Sequence, residues 1–284
     1  MPFQRSFSDL IFKRYSCRHY DPGQTSAEAF TRLDNYIHTL PPGPFNVPGR
    51  FRLVLAGGVD RHGLRGLGTY GAIKDSPGFI IGVTSSSNKD LEDFGYRMEL
   101  VVLKATDLDM GTCWLGGSFT RSTFSKKADL TKDESLPAVC SVGFPAAMKT
   151  TDEIERARKR LGWETLFFMN DFASTLSSEE AGVFADPLEL VRLAPSARNC
   201  QPWRILKAGD VWHFYLQRTK PYHEFVVPLI TGIADLQRVD MGIAMSHFEM
   251  SARSTGLSGA WVVNDPGISL ANALMEYCVS WVPG

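Results

Sequence analysis

Two stretches of this chain repeat each other. Asp93–Trp114 reads DFGYRMELVVLKATDLDMGTCW, and Asp240–Trp261 reads DMGIAMSHFEMSARSTGLSGAW. Aligned without gaps, they share Asp93/Asp240, Gly95/Gly242, Met98/Met245, Ala105/Ala252 and Trp114/Trp261. Upstream, Leu40, Pro42 and Asn46 fall on Leu193, Pro195 and Asn199, and Arg52, Ala56 and Gly57 fall on Arg204, Ala208 and Gly209 after a one-residue gap. Downstream, Cys140 and Pro145 fall on Cys278 and Pro283. The shared order, at offsets that drift slowly, points to an ancient duplication. A duplicated chain must fold as two similar halves.

Each half reads in the same way: a helix, a turn-rich loop, a strand, a long helix and a closing strand. The strands are FRLVLAG and AVCSVGF in the first half, and WRILKAG and YCVSWV in the second, where WRILKAG pairs with VWHFYLQ. The long helices start near Asp93 and Asp240. They are apolar over much of their circumference, through Met98, Leu100, Val101, Val102 and Leu103, then Met241, Ile243, Ala244, Met245, Phe248 and Met250. A helix apolar nearly all round is buried on several sides. Two such helices would pack on each other, as in a homodimer fused into one polypeptide. The halves are expected at residues 1–165 and 166–284, with a linker at about 145–185.

Composition excludes several classes. The 284 residues are 44% apolar and 21% charged, an ordinary globular balance. Thirty basic residues against thirty-one acidic ones argue against a general nucleic-acid binder. Apolar runs such as Phe79–Val83 are too short to span a membrane, and the first residues lack a signal-peptide core. Five cysteines with no C-x-x-C pair read as a reduced, cytoplasmic chain without a zinc ribbon. The six histidines form no H-E-x-x-H and no i, i+4 pair, so no metal site is expected.

Few motifs carry chemistry alone. GLGTYG (Gly66–Gly71) matches G-x-G-x-x-G but lacks the preceding strand, and Pro77 follows closely, so it reads as a loop. There is no G-x-S-x-G, P-loop or E-x-x-H cluster. In RYSCRHY (Arg14–Tyr20), Arg14, Ser16 and Arg18 alternate and would share one face of an extended segment. Two guanidiniums and a hydroxyl converging there suit a phosphate, although a solvated charged stretch would read the same. APSARNCQPW (Ala194–Trp203) reads alone as a turn.

Together, RYSCRHYDP, APSARNCQPWRI, DMGTCWLGGSF and the basic RKR ahead of LGWETLFF resemble the nitroreductase family of flavoproteins over most of the chain. The chain looks like a single-chain, internally duplicated branch of it. The resemblance implies an α+β fold, with mixed or antiparallel sheets flanked by helices and two pseudo-symmetric halves around long buried central helices. It implies bound FMN, with the first half offering Arg14, Tyr15, Ser16, Arg18, the loop Leu115-Gly116-Gly117, and Arg158 and Arg160. The second half offers Pro195, Ser196, Asn199 and Gln201. In the loop Arg61–Lys74, Tyr70 and Gly71 are candidates for flavin or substrate contact.

The reciprocal site looks degenerate. The second half has no R-x-S-x-R, its counterpart of the Gly-Gly loop is AWVV (Ala260–Val263), and no basic tail follows before Gly284. The counterpart of APSARN is PPGPFN (Pro41–Asn46), with no serine. One complementary set remains.

The implied function is hydride transfer from NAD(P)H through flavin N5 to a small-molecule acceptor such as a nitroaromatic or quinone, by ping-pong kinetics, with no catalytic side chain. The alternative is a non-catalytic FMN-binding protein for flavin storage or sensing. The expected state is a monomer with no nucleic-acid or membrane partner. Cys17 reads as a buried thiol or a site of oxidation.

Overall fold

The computed structural model describes residues 3–55, 69, 71–117, 119–220 and 233–284. Two sheets share one four-strand plan. In the first, strands β1 (Gly49–Leu55), β2 (Gly78–Ser85), β3 (Gly111–Leu115) and β5 (Val139–Gly143) lie in the order β1-β2-β5-β3, all antiparallel, and the short β4 (Glu134–Ser135) pairs with β2. In the second, β8 (Trp203–Ala208), β9 (Val211–Gln217), β10 (Gly259–Val262) and β11 (Met275–Pro283) lie in the order β8-β9-β11-β10, again antiparallel. The repeated residues fall on matching strands: Arg52 and Arg204 on β1 and β8, Trp114 and Trp261 on β3 and β10, Cys140 and Cys278 on β5 and β11.

The long helices run over Asp90–Asp107 and Leu236–Ser254 and connect matching strands. In the first, every residue except Arg97 is buried. Gly95 and Gly242 explain how closely the two approach. A Cβ at Gly95 would sit 2.1 Å from the Val239 carbonyl oxygen, and one at Gly242 would sit 2.0 Å from the Glu92 carbonyl oxygen. The contact is reciprocal, because Glu92 is the repeat partner of Val239. Only glycine leaves room for backbone at that distance. The helices therefore cross about a pseudo-twofold axis, as the duplication requires.

Charges carried into this interior are paired. Arg238 holds Glu92 at 2.6 Å and Asp90 at 3.1 Å, and Lys104 holds Asp107 at 2.9 Å. Glu249 accepts from Tyr96 at 2.8 Å and from Trp261 at 2.7 Å. Buried ions persist when partnered in this way. Around them pack fully buried aromatics, among them Trp203, Trp212, Phe214, Phe248 and Trp281. Each such side chain contributes roughly 1.5–3 kcal/mol by leaving water.

The expected linker is folded. Its LFFMNDF segment forms β6 (Phe167–Met169), which pairs in parallel with β8, and β7 (Asp171–Thr175) adds outside it. The second sheet is therefore mixed, and the chain after β5 crosses from the first sheet to the edge of the second. That crossing brings Lys159 and Arg160 beside the loop at 195–201. Among the described residues no helix is long and apolar enough to cross a membrane.

Candidate functional site

The N-terminal helix Phe7–Lys13 is capped by Ser6, whose hydroxyl accepts from Asp9 N at 3.0 Å. Beyond it the chain turns extended. Ser16 bridges to Thr112 in parallel, and Cys17 N donates to the Thr112 carbonyl at 2.8 Å. Period-two alternation then sends Arg14, Ser16 and Arg18 to one face and Tyr15 and Cys17 to the other. The first three line a cavity of about 620 Å³, together with Trp114, Gly116, Gly117 and Arg160 from the first half. The second half closes the cavity with Pro195, Ser196, Asn199, Arg198 and the helix face carrying Leu236, Val239, Asp240 and Ile243.

The loop at 195–201 is held in a conformation side chains rarely adopt. Arg198, Asn199 and Gln201 all have positive φ, at 53°, 59° and 49°. Such residues cost about 1–3 kcal/mol each unless their surroundings fix them. Here the surroundings do. Ser196 Oγ accepts from Gln201 N at 2.9 Å, and Gln201 Nε2 donates to the Asn199 carbonyl at 2.9 Å. Asn199 Nδ2 donates to the Lys159 carbonyl at 2.7 Å, and Arg160 donates to Asn199 Oδ1 at 2.8 Å and to the Leu193 carbonyl at 2.9 Å. Asp240 Oδ1 accepts from Ala197 N at 2.9 Å.

Cationic charge in the cavity is uncompensated. Among the described residues no carboxylate forms a salt bridge with Arg14, Arg18, Arg160 or Arg198, and nearby Glu189 is taken by Arg192. Arg14 is buried, and Arg160 Nε is buried without a partner. Burial first, then the charges of Arg14, Arg158 and Arg192, pull the Arg160 guanidinium down to about 9. Arginine holds its proton tenaciously, so this crowding is relieved by an anion rather than by deprotonation. A dianionic phosphate fits that need, with several charge-assisted hydrogen bonds on offer.

Several expected site residues stand elsewhere. Arg158 does not line the cavity. Its Nη2 donates to the carbonyls of Ile11, Phe12 and Arg14 at 2.7, 3.0 and 2.8 Å, satisfying the open end of the N-terminal helix. It thereby fixes Arg14 by the backbone. Tyr15 faces away, its hydroxyl on the Ala147 carbonyl at 3.3 Å, because it occupies the other phase of the alternation. Leu115 is buried in β3, next to the cavity-lining Gly116 and Gly117. Gln201 is buried and acts on the loop and on Leu161 N, to which its Oε1 is 2.8 Å. Gly71 is an exposed turn residue with φ 74° outside the cavity lining, and Tyr70 lies outside the described residues. Cys17 is a buried thiol that burial pushes up.

Among the lining residues that the sequence did not single out for the site, Arg198, Trp114 and Asp240 bear polar or aromatic groups. Arg198 required the loop geometry. Trp114 was visible only as a repeat match. Its Nε1 donates to Glu99 Oε2 at 2.9 Å, Glu99 Oε1 meets His247 Nε2 at 3.1 Å, and His247 Nδ1 meets the Leu190 carbonyl at 2.8 Å. A carbonyl only accepts, so Nδ1 carries a proton there. Asp240 too was visible only as a repeat match. It is buried, its Oδ2 lacks a partner among the described residues, and burial holds its carboxyl well above the usual range.

Comparison with known proteins agrees with this architecture. Residues 7–252 match the model of a family described as "Putative TM nitroreductase". Among solved structures, the fold resembles a Thermotoga maritima MSB8 protein described in similar terms, at 19% identity and TM-score 0.62, with 98% of this chain and 93% of that chain covered. A nitroreductase family protein from Clostridium difficile 630 matches 57% of this chain over 100% of its own, at 18% identity and TM-score 0.46. A Clostridium difficile R20291 protein described as an FMN-dependent nitroreductase matches 50% of this chain and 88% of its own, at 18% identity and TM-score 0.41. No curated protein matches the sequence. With most of its length matched by the family model and its fold shared with the Thermotoga protein, the chain belongs to the nitroreductase family.

Proposed function

We propose that the protein is an FMN-dependent oxidoreductase that works as a monomer and binds one flavin in the cavity between its halves. The observation that carries the reading is the set of arginines lining that cavity, none of them in a salt bridge with a carboxylate among the described residues. Arg14, Arg18 and Arg160, with the Ser16 hydroxyl, would hold the phosphate. Each charge-assisted bond is worth about 1.5–3 kcal/mol. Trp114, Leu236, Val239 and Ile243 offer apolar surface to the ring system. Gly116 and Gly117 offer backbone N–H groups without an intervening Cβ.

The chemistry bound FMN would supply is hydride acceptance from NAD(P)H and delivery to a small acceptor, such as a nitroaromatic or quinone. The residues of the chain bind, orient and exclude water. None is needed as a nucleophile: Cys17 and Cys113 are buried and burial raises both, and Cys200, in the loop at 195–201, is not among the residues lining the cavity. Nicotinamide and acceptor would share one open face and alternate, giving parallel double-reciprocal plots.

The test is anaerobic addition of NADH or NADPH to the FMN-loaded protein. Rapid bleaching of the yellow colour, with reoxidation on adding a quinone, is expected. A yellow protein that neither nicotinamide bleaches contradicts the enzymatic reading and leaves a flavin-binding protein.

A further inference from the structure

Asp240 has a capacity that the loop does not use. Its Oδ1 is taken by Ala197 N, while Oδ2 is buried, faces no described partner and belongs to a residue that lines the cavity. Leu236 and Ile243 lie four residues before and three after it, so this helix face is apolar apart from the one carboxyl. Asp93, its repeat partner, differs: Oδ1 accepts from Phe45 N at 2.9 Å and Oδ2 from Val47 N at 2.8 Å.

We propose that Asp240 is a cofactor-positioning residue whose Oδ2 carries a proton and donates it in a hydrogen bond to an acceptor atom on the flavin ring system. The inference rests on the FMN reading above and adds a residue to it. A bare carboxylate oxygen enclosed without a donor costs several kcal/mol, and protonation removes that cost. The shift of its carboxyl above the usual range agrees, with burial as its first cause and the charge of Asp235 adding to it against the opposing bond from Ala197.

The groups that face it leave it free. Arg238, on the same helix, is committed to Asp90 and Glu92 of the other long helix. On that helix, Tyr96 is bonded to Glu249, and Glu99 to Trp114 and His247. On the helix before the loop, Glu189 and Arg192 pair with each other. Arg14, Arg18, Arg160 and Arg198 share the cavity, yet none reaches Oδ2.

The experiment is titration of apoprotein with FMN and, separately, riboflavin, by flavin fluorescence, for the wild type, Asp240→Asn and Asp240→Ala between about pH 6.5 and 8.5. Asparagine can still accept from Ala197 N and presents an N–H donor to the cavity at every pH. We expect Asp240→Asn to bind both flavins within about threefold of the wild type at the lowest pH, and Asp240→Ala about tenfold more weakly. Wild-type affinity, divided by that of Asp240→Asn, should stay level while the carboxyl keeps its proton and fall at any pH where it ionises. The same ratio with riboflavin, which has no phosphate, places the effect on the ring.

Equal weakening by both substitutions overturns the proposal. So does a wild-type to Asp240→Asn ratio that rises with pH, which would make Asp240 an acceptor, or an Asp240→Ala affinity equal to that of the wild type, which would leave it without a bond to the ring. Those results leave the FMN reading standing. A wild type that binds neither flavin overturns both.

Discussion

Asp93 and Asp240 occupy equivalent places on two helices that cross about one pseudo-axis, yet they meet different loops. Before Asp93 lies PPGPFN, and before Asp240 lies PSARN. In the repeat alignment Pro44 stands where Ala197 does. Proline has no N–H to give, so the first-half loop meets its aspartate through Phe45 N and Val47 N. It also settles directly on the carboxyl: a Cβ at Gly43 would lie 2.5 Å from Asp93 Cγ. In the second half Ser196 replaces that glycine in the alignment, only Ala197 N reaches the aspartate, and a cavity remains. The scaffold duplicated, and a few residues in one loop decide whether the groove between helix and sheet is filled or open. Arg14, Arg18, Arg160 and Arg198 line the open one, whereas Arg97 beside the filled one donates to the Pro41 and Gly49 carbonyls.

The sharpest way to break this comparison is at the axis. Gly95→Ala and Gly242→Ala each place a Cβ against opposing backbone, and each should lower stability by about 1–3 kcal/mol or more in urea denaturation. Because the contacts are reciprocal, the two losses should be similar. A large loss from one and none from the other would contradict the pseudo-twofold packing.

The next effect separates residues that touch the ligand from residues that hold them. Arg18→Ala should weaken FMN binding by about 10–100-fold while leaving the melting temperature nearly unchanged, because the residue is exposed. Arg158→Ala should do the reverse in emphasis. Three carbonyls lose their donor, so thermal stability should drop before affinity does.

The smallest effect concerns pH. A raised carboxyl means that the native state binds more protons than the unfolded chain between the ordinary aspartate range and the raised value. The stability Asp240 gains from its proton is present at low pH and is lost as pH rises through that window. Asp240→Asn cannot ionise, so the stability of Asp240→Asn relative to wild type should increase as pH rises above the ordinary aspartate range, visible as a few degrees in melting temperature. A difference independent of pH would mean that Asp240 stays in one protonation state throughout.

Much of this was legible in the chain. The long helices announced themselves because they are apolar all round, and the two glycines shared by the repeat mark a contact that symmetry imposes twice. The alternation of Arg14, Ser16 and Arg18 puts the three on one face, where they line the cavity, and puts Tyr15 on the other. Other features needed three dimensions. LFFMNDF is a short apolar run with no period that distinguishes a strand from a buried connection, and only the β8 edge made it β6. Arg158 and Arg160 are two residues apart at a helix end, and nothing in their order tells which one reaches the cavity. Asp240 stood in the repeat from the start, but its role depends on the N–H that Pro44 lacks.

The central claim is that one groove is open and the other filled, and stoichiometry tests it most directly. Apoprotein of known concentration titrated with FMN well above its dissociation constant should reach its end point at one flavin per 284-residue chain. An end point at two would show that the Asp93 half also binds flavin and would contradict the account.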